Sequence, residues 1–227
     1  GFDLDISYRN MQGAFKYEIG ANLSHVKNEL KTLGIAGRTE MFSGNYKNYN
    51  VGRIAEGEPI GHFYVLNDLG LFQSQAEIDS YVNPTTGKKI QPYAQPGDIK
   101  FEDRNGDGVI GADDRFNAGN SFPKLNYSLN FNAEYKGFDF SMHWVGSEGN
   151  KIFNGLTLGE KLMVGTDYNN GTEILNRWRS GHTDTNIPRV SVKDKNNNAS
   201  YSTLYIEDGS FLRLKYVTVG YTFDNKL

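Results

Sequence analysis

The clearest pattern in the sequence is a strict alternation of apolar and polar side chains in residues 125–136, where odd positions are apolar and even positions are polar. Lys136-Gly137 is typical of a tight turn, and the alternation resumes in residues 138–144. A period of two predicts strands whose two faces meet different surroundings. We therefore predict a long antiparallel hairpin. In its first strand the apolar odd positions 125–135 would face lipid and the polar even positions 126–134 the lumen of a barrel.

Both ends of the sequence show the same alternation. Residues 2–9 and 15–24 alternate on either side of a short link at 10–13, which predicts a second hairpin. Near the other end, residues 217–223 alternate, whereas Leu212 and Leu214 have the opposite parity. A β-bulge near Tyr216 would bring both sets to one face of a single strand.

Strand length separates two kinds of β protein. Strands of soluble proteins usually run about 5 to 6 residues, whereas tilted strands that span a membrane need roughly 9 to 11. The segment 125–136 has the membrane length. We therefore predict an all-β chain that is part of a large antiparallel transmembrane β-barrel with long extracellular loops. A soluble sandwich with one apolar face per sheet is the alternative.

Two long stretches interrupt the predicted strands. In outer-membrane barrels the periplasmic turns are short and the extracellular loops are long. If the links at 10–13 and 136–137 are periplasmic, the strand after residue 14 runs outward and the strand from residue 125 runs inward. Residues 26–122 between them hold four prolines and no alternation of membrane length, so we expect no further span there. Residues 26–122 and residues 151–210 are thus predicted to be two extracellular excursions.

Composition agrees with strands and turns and removes several classes of function. The 227 residues include 26 glycines, 14 tyrosines and 14 phenylalanines. A net charge of -3 provides no basic face for nucleic acid. The chain has no cysteine, which excludes disulfides and thiolate metal sites, and no apolar run approaches the roughly 18 residues of a membrane helix. Because the first residues already alternate, we expect the natural N-terminus to lie upstream.

The sequence lacks the signatures of common enzyme classes. We find no Gly-x-Ser-x-Gly, no His-Glu-x-x-His, no phosphate-binding loop and no dinucleotide fingerprint. Glu56 and Glu58 could supply a glycosidase with carboxylates, but nothing in the sequence fixes their separation. We therefore predict that the chain is not an enzyme.

Residues 103–114 match a twelve-residue calcium loop, here called the EF-hand-like loop. Oxygen-bearing residues fall at positions 1, 3, 5 and 12, with Gly108 at the sharp turn of position 6. The predicted Ca²⁺ ligands are the side chains of Asp103, Asn105, Asp107 and Asp114, the carbonyl of Val109 and a water held at Gly111. Asp114 at position 12 is shorter than the usual Glu, which predicts a reduced affinity for Ca²⁺. Flanking EF-hand helices are not evident, so we predict a structural clamp, the alternative being a solvated Asn/Asp/Gly turn.

Several motifs together resemble the SusC/RagA-like TonB-linked outer-membrane transporters. The motifs follow the order of that family over nearly the whole chain. They lie at residues 57–64, 70–73, 77–78, 96–101 leading into 103–115, 177–178, 187–189 and 208–222.

The resemblance implies a barrel of about 22 strands with a plugged lumen, of which residues 1–227 would be a segment. It also implies import of glycan fragments or peptides across the outer membrane with energy from the TonB complex, and a SusD-like surface lipoprotein as a lid. The sequence contains no plug and no TonB box, so other parts of the transporter would contact TonB. The second function compatible with the pattern is a secreted, calcium-stabilised β-sandwich that binds carbohydrate.

Overall fold

A computed structural model describes residues 1–46, 49–162 and 169–223. The strands are β1 Phe2–Asn10, β2 Phe15–His25, β3 Glu40–Tyr46, β4 Tyr49–Ala55, β5 His62–Val65, β6 Asp68–Leu71, β7 Ile99–Phe101, β8 Phe116–Asn120, β9 Leu125–Tyr135, β10 Phe138–Glu148, β11 Lys151–Phe153, β12 Ile206–Asp208 and β13 Phe211–Tyr221. The α-helices are α1 Gln75–Ser80 and α2 Thr157–Glu160, and 3₁₀ turns lie at Ala112–Asp114, Thr172–Asn176 and Thr203–Tyr205. In the described parts of the chain, no helix is long and apolar enough to cross a membrane.

Five long strands form one antiparallel sheet in the order β1-β2-β9-β10-β13. β1 has 9 residues and the other four have 11, so all have the predicted membrane length. β2 pairs directly with β9 over its full length, with Phe15 opposite Tyr135 and His25 opposite Leu125. Among the described residues between β2 and β9, no strand enters this sheet.

The register divides the long sheet into an apolar face and a polar face. Directly opposed residues of antiparallel strands point to the same side. One row across the five strands consists of Tyr8, Ile19, Phe131, Met142 and Val217. The next row consists of Arg9, Glu18, Asn132, Ser141 and Thr218. The alternating side chains of the five strands therefore form one continuous apolar surface and one continuous polar surface.

The predicted tight turn between β9 and β10 is confirmed. Lys136 has a φ of 48° and Gly137 a φ of 86°, so both central residues are left-handed. A two-residue turn of this kind matches the right-handed twist of the strands it joins. Glycine at the second position relieves the steric cost there.

The predicted bulge in β13 is also confirmed. His143 of β10 lies opposite Tyr216, whereas Trp144 lies opposite Leu214, so Lys215 has no partner in the register. The extra residue reverses the parity of the strand. As a result, Leu214 joins the apolar face together with Val217.

Both excursions leave and re-enter the long sheet at the same end. Leu125 lies opposite both His25 and Glu148, and Ser147 lies opposite Phe211. The short connections β1-β2 and β9-β10 lie at the other end. This asymmetry agrees with the short turns and long loops expected from the sequence.

The buried core lies in the excursions and not in the long sheet. Val65, Ile99 and Phe101 of the first excursion pack with Tyr205 of the second in one cluster. Strands β3-β4-β5-β8 form one sheet of this body, and β6-β7 and β11-β12 form two small ladders. By contrast, apolar side chains of the long sheet such as Ile6 remain exposed. The described parts of the two excursions thus form one packed body at one end of the sheet.

Candidate functional site

The side chains of the EF-hand-like loop hydrogen-bond to its own backbone. Both carboxylate oxygens of Asp103 accept backbone N–H groups at 2.9 Å, one of them from Gly108. Asn105 Oδ1 accepts the N–H of Asp107 at 2.9 Å, and Asp107 Oδ1 accepts that of Val109 at 2.8 Å. These short-range bonds favour turns at Asn and Asp residues. They set the conformation of the first half of the loop.

Asp114 connects the two halves of the loop. Its Oδ1 accepts the N–H groups of Arg104 at 2.8 Å and Asn105 at 3.3 Å, and its Oδ2 accepts that of Gly111 at 2.7 Å. The side chain is fully buried. Within the described part of the chain, no group of three or more His, Cys, Asp or Glu side chains is arranged to hold a metal ion. The predicted ligands therefore share one hydrogen-bonded loop, and Ca²⁺ binding remains a prediction.

Two side chains anchor the EF-hand-like loop to the rest of the first excursion. The buried Asn83 donates an Nδ2–H to the carbonyl of Gly106 at 2.8 Å. The Tyr81 hydroxyl donates to the carbonyl of Phe101 at 2.6 Å and accepts the N–H of Asp103 at 3.3 Å. Burial raises the pKa of Tyr81 above its ordinary value, and the charge of Asp103 adds to the rise. The hydroxyl therefore stays protonated and keeps its role as a donor.

A buried ion pair joins the two excursions. Asp98 is fully buried, and its Oδ1 lies 2.7 Å from Nε of Arg189. Arg189 also donates an Nη2–H to Oδ2 of Asp98 at 3.2 Å. Asn198 donates an Nδ2–H to Oδ1 at 2.8 Å, and the backbone N–H of Gln95 donates to Oδ2 at 2.8 Å. A buried carboxylate needs such partners, because a buried charge without them is costly.

Next to this ion pair, amide side chains occupy the free edge of β7. Asn198 Oδ1 accepts the N–H of Ile99 at 3.0 Å, and Asn196 donates an Nδ2–H to the carbonyl of Ile99 at 2.9 Å. Gln91 accepts the N–H of Phe101 at 2.8 Å and donates to the same Ile99 carbonyl at 2.9 Å. The amides satisfy backbone groups as a neighbouring strand would. We call the set Gln91, Asp98, Arg189, Asn196 and Asn198 the junction.

Trp178 packs on the backbone beside the junction. A Cβ on Gly97 would lie 2.5 Å from the Trp178 ring, and Gly97 has a φ of 89°. Trp178 donates its Nε1–H to Gln73 Oε1 at 3.0 Å, and Arg189 donates its backbone N–H to the Gly97 carbonyl at 2.9 Å. Only glycine allows this close approach at a left-handed position. Four of the motifs that carry the family resemblance therefore meet in space.

The junction could not be predicted from the sequence. Asp98 and Arg189 are 91 positions apart, and no local pattern links residues at that distance. The available signal was the run of polar residues 193–200, which contains three consecutive asparagines. Two of those asparagines are buried and hydrogen-bonded instead of solvated.

The glutamates considered for catalysis have other partners. Glu58 pairs with Arg53, and its Oε2 lies 3.0 Å from Nε2 of the buried His62. Glu56 accepts the backbone N–H of Leu33 at 2.8 Å. Both carboxylates thus hold neighbouring segments of the first excursion.

Comparison with known proteins gives relatives over nearly the whole chain. No model of a protein family matches it. The chain is 27% identical over 222 residues to TonB-dependent receptor P26 of Formosa agariphila, covering 97% of this chain and 22% of that receptor. It is 29% identical over 225 residues to TonB-dependent receptor P3 of the same organism, covering 97% and 21%. To TonB-dependent receptor SusC of Bacteroides thetaiotaomicron it is 27% identical over 133 residues, covering 58% and 12%.

A solved structure of the RagAB peptide transporter has the same fold. It matches with a TM-score of 0.72 at 18% identity, covering 99% of this chain and 23% of that chain. The resemblance to SusC/RagA-like proteins and the predicted all-β barrel-segment fold are thereby confirmed. The relatives are named as receptors and not as enzymes, in agreement with the prediction. The chain spans about a fifth of the length of the curated relatives P26 and P3.

Proposed function

We propose that the chain is a segment of an outer-membrane barrel that serves TonB-dependent import of glycan fragments or peptides together with a SusD-like surface lipoprotein. One observation carries the proposal: five long strands present one continuous apolar face whose side chains are exposed or half-buried. An apolar surface of this breadth calls for an apolar partner, and lipid provides it in a barrel. Within the described residues no second sheet packs on this face, which disfavours the sandwich alternative.

In this proposal residues 26–122 and 151–210 lie outside the cell. The support is that both excursions emerge from one end of the long sheet, while the short turns lie at the other end. The packed body formed by the excursions would then face incoming substrate and the lipoprotein lid. TonB itself would be contacted by other parts of the transporter, because this chain corresponds to about a fifth of P26.

The test of sidedness compares two introduced cysteines in cells that carry the full-length protein. The chain has no cysteine of its own, so each label is unique within it. A membrane-impermeant maleimide should label Lys88→Cys in intact cells, because Lys88 is exposed in the first excursion. The matched control, Lys136→Cys in the turn between β9 and β10, should react only after the outer membrane is permeabilised. Labelling of both sites, or of neither, in intact cells would contradict the proposal.

The imported substrate is either a peptide or a glycan fragment. The similarity of the fold to the RagAB peptide transporter supports peptides. Tyr93 in the first excursion is 66% exposed and could stack on a sugar. Deleting the gene should stop cellular uptake of a fluorescent peptide pool or of a labelled oligosaccharide pool. Unchanged uptake of both pools would contradict the proposed import function.

The EF-hand-like loop is further proposed to bind Ca²⁺ as a structural clamp. In the described residues, Asp103, Asp107 and Asp114 take part in no salt bridge, so the loop concentrates uncompensated negative charge. Each carboxylate oxygen that accepts one N–H group still has a second lone pair for a cation. Asn105, the carbonyl of Val109 and a water at Gly111 would complete an oxygen shell.

Hydrogen exchange of the full-length protein with and without millimolar Ca²⁺ tests the clamp. The ion should slow exchange of the backbone amides in residues 104–112. Replacing Asp103 and Asp107 by Asn should abolish this effect, whereas Asp113→Asn, an exposed residue that is not a predicted ligand, should retain it. Exchange that is insensitive to Ca²⁺ in the unaltered protein would favour the plain hydrogen-bonded turn.

A further inference from the structure

A cavity of about 680 Å³ lies where the EF-hand-like loop meets the second excursion. Its walls come from three segments that are distant in sequence, residues 88–93, 108–115 and 194–201. Cavities of roughly 300 to 1,000 Å³ are typical of sites for small ligands. The volume of the cavity therefore suits a small ligand, such as a peptide of a few amino acids.

The floor of the cavity is apolar and part of the core. Leu66, Phe101 and Tyr201 line the cavity and belong to the main buried cluster, and Phe101 is 1% exposed. Ile110 and Leu158 also line it and pack against the same cluster. Because these side chains are held by the core, the floor is preformed and can bury an apolar group without rearrangement.

The charged residues around the cavity are mostly basic. The basic ones are Lys88, Lys89, Arg115 and Lys195, and the acidic one is Asp194. Lys89 pairs with Asp79 at 2.6 Å, and both carboxylate oxygens of Asp194 accept backbone N–H groups. The salt bridges among the described residues include none with the other three cations. The rim of the cavity thus carries three cations that have no carboxylate partner among these salt bridges.

We propose that this cavity binds a short acidic peptide, with an apolar side chain on the floor and a carboxylate among Lys88, Arg115 and Lys195. The partly buried Arg115 suits this role because a guanidinium can bind a carboxylate through two parallel hydrogen bonds. The inference deepens the proposed function, on which it rests for the source of the peptide, by naming a substrate class.

The same chemistry disfavours a neutral glycan in this cavity. A neutral sugar brings hydroxyl groups but no charge, so cations that lose water on binding would gain no counter-charge. An acidic peptide supplies both the counter-charge and apolar side chains for the floor. The combination of a basic rim with an apolar floor therefore selects for an amphipathic anion.

The test titrates full-length transporter in detergent with the blocked tetrapeptide Leu-Asp-Leu-Asp and with its neutral counterpart Leu-Asn-Leu-Asn, using calorimetry. The acidic peptide should bind at least tenfold more tightly, and its affinity should fall with added salt because the attraction is electrostatic. The double variant R115Q/K195Q should weaken acidic-peptide binding at least tenfold. The control K193Q removes an exposed lysine two positions away that does not line the cavity, and it should bind like the unaltered protein.

Equal affinity for the two peptides, unchanged affinity in the double variant, or no binding of the acidic peptide would overturn the inference. Cellular uptake separates this result from the proposed function. A transporter that imports its substrate but does not bind the acidic peptide would overturn the cavity assignment and leave import standing. A protein that binds the acidic peptide but imports neither peptide nor oligosaccharide pools would support the cavity and contradict import.

Discussion

At the scale of single residues, the ion pair of Asp98 and Arg189 links the two excursions directly. Its carboxylate is buried and receives donors from the side chains of Arg189 and Asn198 and from the backbone of Gln95. Removing one partner of a buried pair typically costs about 3 to 5 kcal/mol, because the other charge stays buried. The stability of the junction therefore depends on the pair being intact.

We expect Arg189→Gln to destabilise the junction by about 3 kcal/mol, measured as faster hydrogen exchange in residues 95–101. The double variant D98N/R189Q should recover part of the loss, because an amide at position 98 is uncharged and can still accept from Asn198. If hydrogen exchange in residues 95–101 is unchanged in R189Q, the ion pair contributes little to the stability of the junction. A double variant less stable than R189Q would show that charge burial is not the cause.

Asp68 makes the first excursion sensitive to pH. Burial raises the pKa of its carboxyl to about 6, although the N–H of Gly70 donates to it at 2.7 Å. Since the folded protein holds this proton more tightly, the contribution of Asp68 to stability is fully present below about pH 4, is lost as the pH rises to about 6, and then levels off. The shift corresponds to roughly 1 to 3 kcal/mol once partial solvent exposure is considered.

The variant Asp68→Asn should abolish this pH dependence and still accept the Gly70 N–H. The measurement is the local opening free energy of residues 68–71 from hydrogen exchange between pH 4 and pH 7. In the unaltered protein it should fall by roughly 1 to 3 kcal/mol relative to the variant. Parallel pH profiles for the two proteins would contradict the raised pKa.

At the scale of elements, the five long strands assign each residue of β9 to a face. Leu129 lies on the apolar face and Asn132 on the polar face. Arginine at Leu129 should cost roughly 2 to 4 kcal/mol in a barrel-folding assay if it lies near the middle of the bilayer, and arginine at Asn132 should cost little. Asn132 is a suitable control because it lies in the same strand on the polar face, opposite Glu18 and Ser141. Similar costs at both positions would contradict the assignment of the faces.

The long strands could be predicted from sequence because their information is local. β1, β2 and β9 alternate without a break, and Gly137 occupies a left-handed position of the two-residue turn between β9 and β10. The bulge could be predicted because Leu214 and Val217 must reach one face despite opposite parity. The hydrogen-bonded form of the EF-hand-like loop also follows from short spacings, such as that between Asn105 and Asp107.

The short strands and the junction could not be predicted because their stability depends on distant partners. β7 has three residues, and its free edge is satisfied by Gln91, Asn196 and Asn198. Asparagine runs usually predict solvated turns, and only the tertiary structure shows that two of these amides are buried. Likewise, nothing in the sequence alone brings residues 88–93, 108–115 and 194–201 around one cavity.

At the scale of the whole molecule, the chain combines a bare sheet with a packed body at one end. The sheet exposes large apolar side chains on one face and depends on its surroundings, whereas the excursions contain their own core. This division matches the fold of the RagAB transporter over nearly the whole chain. In our account the sheet belongs to the bilayer and the body to the cell exterior, where it would meet peptide and lid.

The most direct measurement of that account is the accessibility of spin labels on the long sheet of the full-length protein in lipid nanodiscs. Labels are introduced singly at the apolar row, positions 8, 19, 131, 142 and 217, and at the polar row, positions 9, 18, 132, 141 and 218. The account predicts that every label of the apolar row collides with lipid-soluble oxygen and every label of the polar row with a water-soluble nickel complex. Equal accessibility of the two rows to oxygen and to the nickel complex would contradict the account. Collision of the apolar-row labels with the nickel complex would contradict it as well.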